Sequence, residues 1–329
     1  MDTNTTTLTK TPEGEHALRE TFLKDVLKGL ESSPKYLESK YFYDQNGDKI
    51  FQQIMHCPEY YPTNCELEIL SKQTAAVVGS ILARHESFDL IELGAGDALK
   101  STFLLNYLTE QEIDFTYYPI DISGNVIENL QARLPKQIPG LNIHGLKGEY
   151  FNMLKQAYSL SGKPKLVLFL GSNIGNMLPE DALYFCNQLK ENLSPGDLLL
   201  IGFDLKKDPQ TILDAYNDQQ GFTRNFNLNL LTRINRELDA DFNLDSFQHF
   251  PTYNPESGAC HSYLVSRTEQ QVTIAGHEIR FEANETIYME ISQKYTPAQT
   301  DELAKATGFV PMEHYYDSKG WFLDAIWRC

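Results

Sequence analysis

The sequence predicts an α/β chain: a doubly wound, mostly parallel sheet finished by a β-hairpin, joined by a smaller, discontinuous α+β domain. Three observations carry this. Phe88-Asp89-Leu90-Ile91-Glu92-Leu93 is short and apolar enough for a buried strand, drops into Gly94-Ala95-Gly96-Asp97, and continues into a segment with helical apolar spacing. Leu166-Val167-Leu168-Phe169-Leu170 is an unbroken apolar run, as a central parallel strand requires when both faces are covered. Between residues 64 and 204 strands alternate with helices, the pattern of a doubly wound sheet.

In chain order, residues 1–11 read as a flexible, threonine-rich lead, and residues 15–30 as an amphipathic helix with Leu18, Phe22, Val26 and Leu30 on one face. An aromatic turn over residues 40–48 precedes a short helix, 50–55, and residues 66–84 read as one long helix. After the glycine turn come a strand at 115–122, a helix at 126–134, strands at 141–146 and 165–170, a helix at 181–193 and a strand at 198–203. The alternation then breaks. Helical segments at 208–216 and 226–238 precede four antiparallel strand candidates, 247–253, 261–267, 271–274 and 278–281. The tail returns to the first pattern with a helix at 300–307 and strands at 309–316 and 321–328 around Asp317-Ser318-Lys319-Gly320. A parallel sheet closed by such a hairpin is the class I (Rossmann-like) methyltransferase arrangement. The expected domains are 64–206 with 293–329, and 12–63 with 207–292.

Composition narrows the partners. A net charge of −17 without a run of lysine or arginine argues against gripping a phosphate backbone, so nucleic acid is not expected. No apolar run reaches membrane-spanning length and the start lacks a signal-peptide core, so a cytoplasmic monomer is the expectation. Five scattered cysteines without a C-x-x-C pair, and eight histidines without ligand spacing, predict reduced thiols and no metal site.

The glycine turn points to its ligand. Gly94 and Gly96 allow a tight turn and a close backbone approach, but Leu99 stands where a dinucleotide fingerprint has its third glycine. A pyrophosphate is therefore disfavoured. Acids at Glu92 and at Asp121, the end of the next strand, suit ribose hydroxyls and a positive group, as in S-adenosylmethionine. Tyrosines and phenylalanines crowded between residues 41 and 61 suit a small-molecule pocket.

Several motifs resemble one family. They are Tyr41-Phe42-Tyr43-Asp44, Pro58-Glu59-Tyr60-Tyr61-Pro62-Thr63, Glu92-Leu93-Gly94-Ala95-Gly96, Leu170-Gly171-Ser172-Asn173-Ile174-Gly175-Asn176, Phe226-Asn227-Leu228-Asn229 and Glu290-Ile291-Ser292. Together they resemble the histidine Nα-methyltransferases of ergothioneine biosynthesis, which use S-adenosylmethionine to make trimethylhistidine, hercynine. The resemblance implies that Gly94, Lys100, Asp121, Glu149 and Tyr150 hold the cofactor, which leaves as S-adenosylhomocysteine. It implies that Asn176 holds the amino acid's amine and carboxylate, with Gly171 nearby. Tyr43, Phe51, Tyr60 and Tyr216 would line the pocket, and Glu290 and Ser292 would read the imidazole. Ser262 falls where the family commonly has methionine, which keeps open the alternative of the same fold and donor acting on another amino acid or small amine. Asn176 and Tyr43 are the expected catalytic residues, Tyr43 as a proton relay.

Overall fold

The computed structural model describes residues 12–329; the lead expected over 1–11 lies outside them. In chain order the elements are α1 (Pro12–Leu30), β1 (Lys35–Tyr36), α2 (Gln45–Met55), α3 (Tyr61–Lys72), α4 (Thr74–Leu82), β2 (Ser87–Leu93), α5 (Ser101–Glu110) and β3 (Asp114–Asp121). Next come α6 (Gly124–Gln137), β4 (Leu146–Lys147), α7 (Tyr150–Leu160), β5 (Lys165–Phe169), α8 (Pro179–Asn192), β6 (Leu198–Asp204), α9 (Pro209–Ala215) and α10 (Phe222–Leu238). The last are β7 (Phe247–Tyr253), β8 (Ala259–Ser266), β9 (Gln270–Ile274), β10 (His277–Phe281), β11 (Thr286–Gln293), α11 (Pro297–Ala306), β12 (Val310–Tyr316) and β13 (Phe322–Arg328). The chain divides into two compact units. One comprises Tyr61–Lys207, Glu256–Gly258 and Ser292–Cys329; the other comprises Asp208–Pro255, Ala259–Ile291 and the chain up to Tyr60.

The larger unit holds a seven-stranded sheet in the order β4-β3-β2-β5-β6-β13-β12. Strands β4 to β6 run parallel, β13 is antiparallel to β6, and β12 is antiparallel to β13. This is the class I methyltransferase order. Every residue of β5 and β6 is buried, which is why their sequences carry no polar alternation. The smaller unit has a four-stranded sheet, β1-β11-β8-β7, and a ribbon of β9 with β10. Its core gathers Phe22, Val26 and Leu30 from α1 with Leu230, Leu231 and Ile234 from α10 and Ile287 and Met289 from β11.

The structure differs from the expected elements in four places. The long helix at 66–84 is two helices, because Gln73 leaves the helical region (φ −117°, ψ 11°) and its carboxamide donates to the Tyr316 carbonyl at 2.7 Å. The strand at 141–146 shrinks to β4 plus one bridge, Tyr117 to Ile143, so the sheet edge is short. Helix α7 was not expected, although Phe151, Leu154, Ala157 and Tyr158 stand at helical spacing. The two-residue β1 and the length of β11 were also not foreseen.

One buried group in the smaller unit is out of balance with its surroundings. His249 of β7 is 7% exposed, and neither ring nitrogen has a hydrogen-bond partner among the described residues. Burial pushes its imidazole down from 6.5 to about 4, with Asp218 favouring and Arg224 opposing the charged form. The unfolded chain therefore takes a proton that the folded chain refuses. This contribution to stability is complete above about pH 6.5 and is lost as pH falls toward 4. In urea unfolding between about pH 7 and about pH 4, His249→Leu is expected to lose less stability than the parent, by on the order of 3 kcal/mol. Parallel curves for the two proteins would exclude this origin.

Candidate functional site

In the larger unit the candidate residues gather at the carboxyl ends of β2, β3 and β5, where a doubly wound sheet receives its ligand. Gly94 leaves β2 with φ +74°, and an added Cβ would stand 2.8 Å from Tyr150 Oη, so glycine is required on both counts. Gly96 donates its N–H to Asp121 Oδ2 at 3.3 Å and faces open space. Asp121 Oδ1 accepts from the Ser123 N–H at 2.8 Å, and Ser123, not Asp121, caps α6. Glu149 stands at the cap of α7 yet makes no capping hydrogen bond, so its exposed carboxylate is not spent on the helix. The Tyr150 hydroxyl is pushed up to about 12, first by burial and then by Asp121 and Glu149, and stays protonated as a donor. A glycine-lined approach, a half-exposed acid after β3 and an uncommitted acid after β4 fit an adenosyl group.

Behind this rim lies a buried polar cluster that the sequence did not disclose. Glu66 of α3 is wholly buried; both its oxygens accept from the Gly171 N–H, at 2.7 and 2.9 Å, and it pairs with Lys100. Lys100 is thereby fixed at the start of α5, beside the turn after β5. Asp324 of β13 is also wholly buried; burial first, then Glu66, raises its carboxyl well above the ordinary range. Glu92 points inward rather than to a ligand: it is 4% exposed, accepts from Tyr117 Oη, and is pushed up to about 7 by burial.

The turn after β5 places Gly171 at φ +80° and Ser172 at φ +54°, and Asn173–Asn176 forms a 3-10 turn with Asn176 exposed at its end. Ser172 Oγ accepts from the Asp204 N–H at 3.0 Å, pinning the turn to β6. Asp204 is wholly buried; burial alone would raise its pKa, but Lys294 and Lys207 outweigh that and hold it below the usual range. Tyr61 Oη donates to its Oδ2 at 2.9 Å, Lys294 Nζ lies 2.6 Å from that same oxygen, and Lys207 pairs with Oδ1. Ser292 is 8% exposed and its Oγ accepts from Lys294 Nζ at 2.7 Å.

In the smaller unit, Tyr43 packs edge-on against Phe51 and Phe226, both at 5.6 Å, and is 48% exposed. Its neighbour Asp44 caps α2 by accepting the Gly47 N–H at 2.7 Å, and also takes Asn229 Nδ2 at 2.9 Å and Arg236 Nη2 at 2.7 Å. The Tyr-Asp and Asn-Leu-Asn motifs therefore clamp α2 to α10 and fix where Tyr43 stands. Tyr60 meets Tyr216 edge-on at 6.2 Å, and Tyr216 closes α9. Glu290 is half-buried on β11, where it alternates with Met289 and Ile291. Ser262 is buried on β8 opposite Pro251, on the side of Leu264, while His261 and Tyr263 pack against Tyr288. Among the described residues no cluster of acids, histidines and cysteines has metal-holding geometry, and no helix is long and apolar enough to cross a membrane.

A family model described as histidine-specific methyltransferase, S-adenosylmethionine-dependent, matches residues 22–329. A histidine Nα-methyltransferase of Mycolicibacterium smegmatis is 37% identical over 87% of this chain and 88% of its own length. The Mycobacterium tuberculosis enzyme of the same name is 34% identical over 94% and 95%. An L-tryptophan methyltransferase of Psilocybe serbica is 29% identical over 89% of both.

The inward-facing Glu92 gives a prediction of definite sign. Its folded pKa near 7 exceeds the free value of 4.5, so the unfolded carboxyl ionises first and stability drains away between those values, then levels. Glu92→Gln removes that loss while keeping an acceptor for Tyr117. The variant is expected to gain on the order of 3 kcal/mol near pH 8 and little near pH 5, read by chemical denaturation. An equal gain at both would show that Glu92 is ionised throughout.

Proposed function

Because the chain belongs to the S-adenosylmethionine-dependent, histidine-specific methyltransferase family, we propose that it methylates the α-amine of L-histidine three times to give hercynine, within ergothioneine biosynthesis. The observation that carries this reading is a family match over residues 22–329, nearly the whole chain. S-adenosylmethionine supplies an electrophilic methyl group on sulfur, which a neutral amine displaces in line. The protein's share is alignment and exclusion of water, worth up to roughly 7–11 kcal/mol in favourable systems.

The proposed roles follow the chemistry of each side chain. Asp121 takes ribose hydroxyls and Glu149 the adenine amine, since an ionised carboxylate only accepts. Gly94 and Gly96 let the backbone approach, Tyr150 donates from its protonated hydroxyl, and Lys100 offers an ammonium held by Glu66. Asn176, a carboxamide that both donates and accepts, serves the amino acid's carboxylate and amine, with Gly171 beside it. Tyr43, Phe51, Tyr60, Tyr216 and Ser262 form the acceptor wall. Glu290 accepts from one imidazole nitrogen and Ser292 meets the other, a pairing that a side chain without two ring nitrogens cannot satisfy.

The α-amine must lose a proton before each transfer, and free α-amines titrate near about 8. The exposed Tyr43 hydroxyl is our candidate relay to solvent. One chain supplies every residue of this reading, so we propose a monomer working in the cytoplasm, where its cysteines stay reduced.

Protein mixed with histidine and S-adenosylmethionine is expected to yield products heavier by one, two and three methyl groups in mass spectra. Consumption of another amino acid in place of histidine would overturn the reading. Glu290→Ala is expected to weaken histidine binding about tenfold or more, by loss of a buried partner, and to leave S-adenosylhomocysteine affinity unchanged in calorimetry. Unaltered histidine affinity would remove Glu290 from the site.

A further inference from the structure

The turn after β2 holds an alanine in a conformation that favours glycine. Ala98 is buried at φ +53°, in the left-handed region where its Cβ crowds the backbone. An L-residue stays there only when its surroundings over-determine it. Rotating the peptide plane between Asp97 and Ala98 would relieve the strain, because that rotation changes ψ of Asp97 and φ of Ala98 together and returns φ to negative values. The plane is held at both ends. Its N–H donates to the Ala95 carbonyl at 2.9 Å, and its carbonyl accepts from Arg133 Nη2 of α6 at 2.5 Å. The first bond is internal to the turn, whereas the second is a brace from a different helix. Arg133 also donates to Gln137 Oε1 at 2.8 Å, again a neutral oxygen.

We propose that Arg133 is a positioning residue for the cofactor: by holding the Asp97 carbonyl it keeps the turn in the strained form that presents Gly94, Gly96 and Lys100 to S-adenosylmethionine. This rests on the reading that the rim of Gly94, Gly96, Lys100 and Asp121 holds the cofactor. The turn fixes both sides of that rim. Upstream, Gly96 reaches Asp121 Oδ2 with its N–H; downstream, the Ala98 carbonyl accepts from the Thr102 N–H at 3.0 Å and from Thr102 Oγ1 at 2.6 Å, which sets the start of α5 beside Lys100. A rotated peptide would break the bond between Ala95 and Ala98 and free Gly96 from its place. A site that rests partly in such a relaxed form binds more weakly by the fraction of molecules that remain competent. A guanidinium suits the task, since it stays charged at any working pH and a bond from a cation to a carbonyl is stronger than one from a neutral donor. Because α6 begins just after Asp121, one helix braces the turn after β2 and follows the acid after β3.

The test measures S-adenosylhomocysteine affinity by calorimetry in Arg133→Met, Ala98→Gly and the double variant, with Asp121→Ala as the check on the rim itself. Arg133→Met is expected to weaken binding about tenfold, as loss of a charge-assisted bond would. Ala98→Gly alone is expected to stay within about threefold of the parent, because glycine takes positive φ about as readily as negative. In the double variant the peptide has no strain to relieve, so affinity is expected to return to within about threefold of the parent. A lost surface contact of purely structural worth would not be rescued in this way. A double variant as weak as Arg133→Met overturns the proposal, and so does an Arg133→Met protein within about twofold of the parent beside a large Asp121→Ala effect. Should the methionine variant not fold, Arg133→Gln takes its place, and failure of Ala98→Gly to rescue it overturns the proposal equally. A silent Asp121→Ala is a different failure, since it overturns the reading of the cofactor rim.

Discussion

The larger unit depends on a carboxylate placed where no water reaches it. Glu66 is wholly buried, and an uncompensated acid there would cost several kcal/mol. Its compensation comes from two places far apart in the chain: the Gly171 N–H, freed by the left-handed turn after β5, and the ammonium of Lys100 at the start of α5. The turn after β5 and the start of α5 are thereby set with respect to each other. Neither can shift without leaving the acid unpaired, which is a far stiffer restraint than packing alone. Asp324 lies against the same acid, and burial and Glu66 together raise its carboxyl well above the ordinary range, which favours its neutral form there. Asp204 repeats the device one strand over, fixing Ser172 through its backbone and Lys294 through its side chain.

This explains what the sequence could reveal. Periodicity reports burial, and burial is what β2, β5 and β6 have in abundance, so the sheet and its hairpin end were legible. The glycine turn was legible because Gly94 answers a local demand, a positive φ and a hydroxyl close by. Helix α7 was missed although its apolar spacing was present, because the stretch after Glu149 opens on a tyrosine and a phenylalanine that read equally as strand. The break at Gln73 depends on a hydrogen bond to Tyr316, more than two hundred residues on, and no local pattern carries it. Glu66 was invisible for the same reason: read alone, it is one more acid on an amphipathic helix.

The site residues divide along the same line. Asp121 and Glu149 were legible as acids ending strands, and the structure removes their plainest alternative, since neither spends its carboxylate as a helix cap. The motif around Tyr43 was legible as a pattern but not as a mechanism. Its conspicuous partners, Asp44, Asn229 and Arg236, turn out to be a clamp between α2 and α10. Their hydrogen bonds set the position of the aromatic face of Tyr43, Phe51 and Phe226.

Three transfers to one nitrogen impose a constraint on any acceptor site. Each methyl group replaces an N–H, so a site that gripped the amine through its hydrogens would lose hold of the intermediates in turn. The anchors have to be groups that do not change during the sequence, which are the carboxylate and the imidazole ring. Side chains that bind those two ends with fixed polarity serve all three steps equally, whereas the surface near the nitrogen has only to tolerate growing bulk and positive charge. Aromatic faces do that without asking for a hydrogen, through contact with the methyl groups and attraction to a cation. The tyrosines and phenylalanines clustered in the smaller unit, which we propose as the acceptor wall, offer such faces.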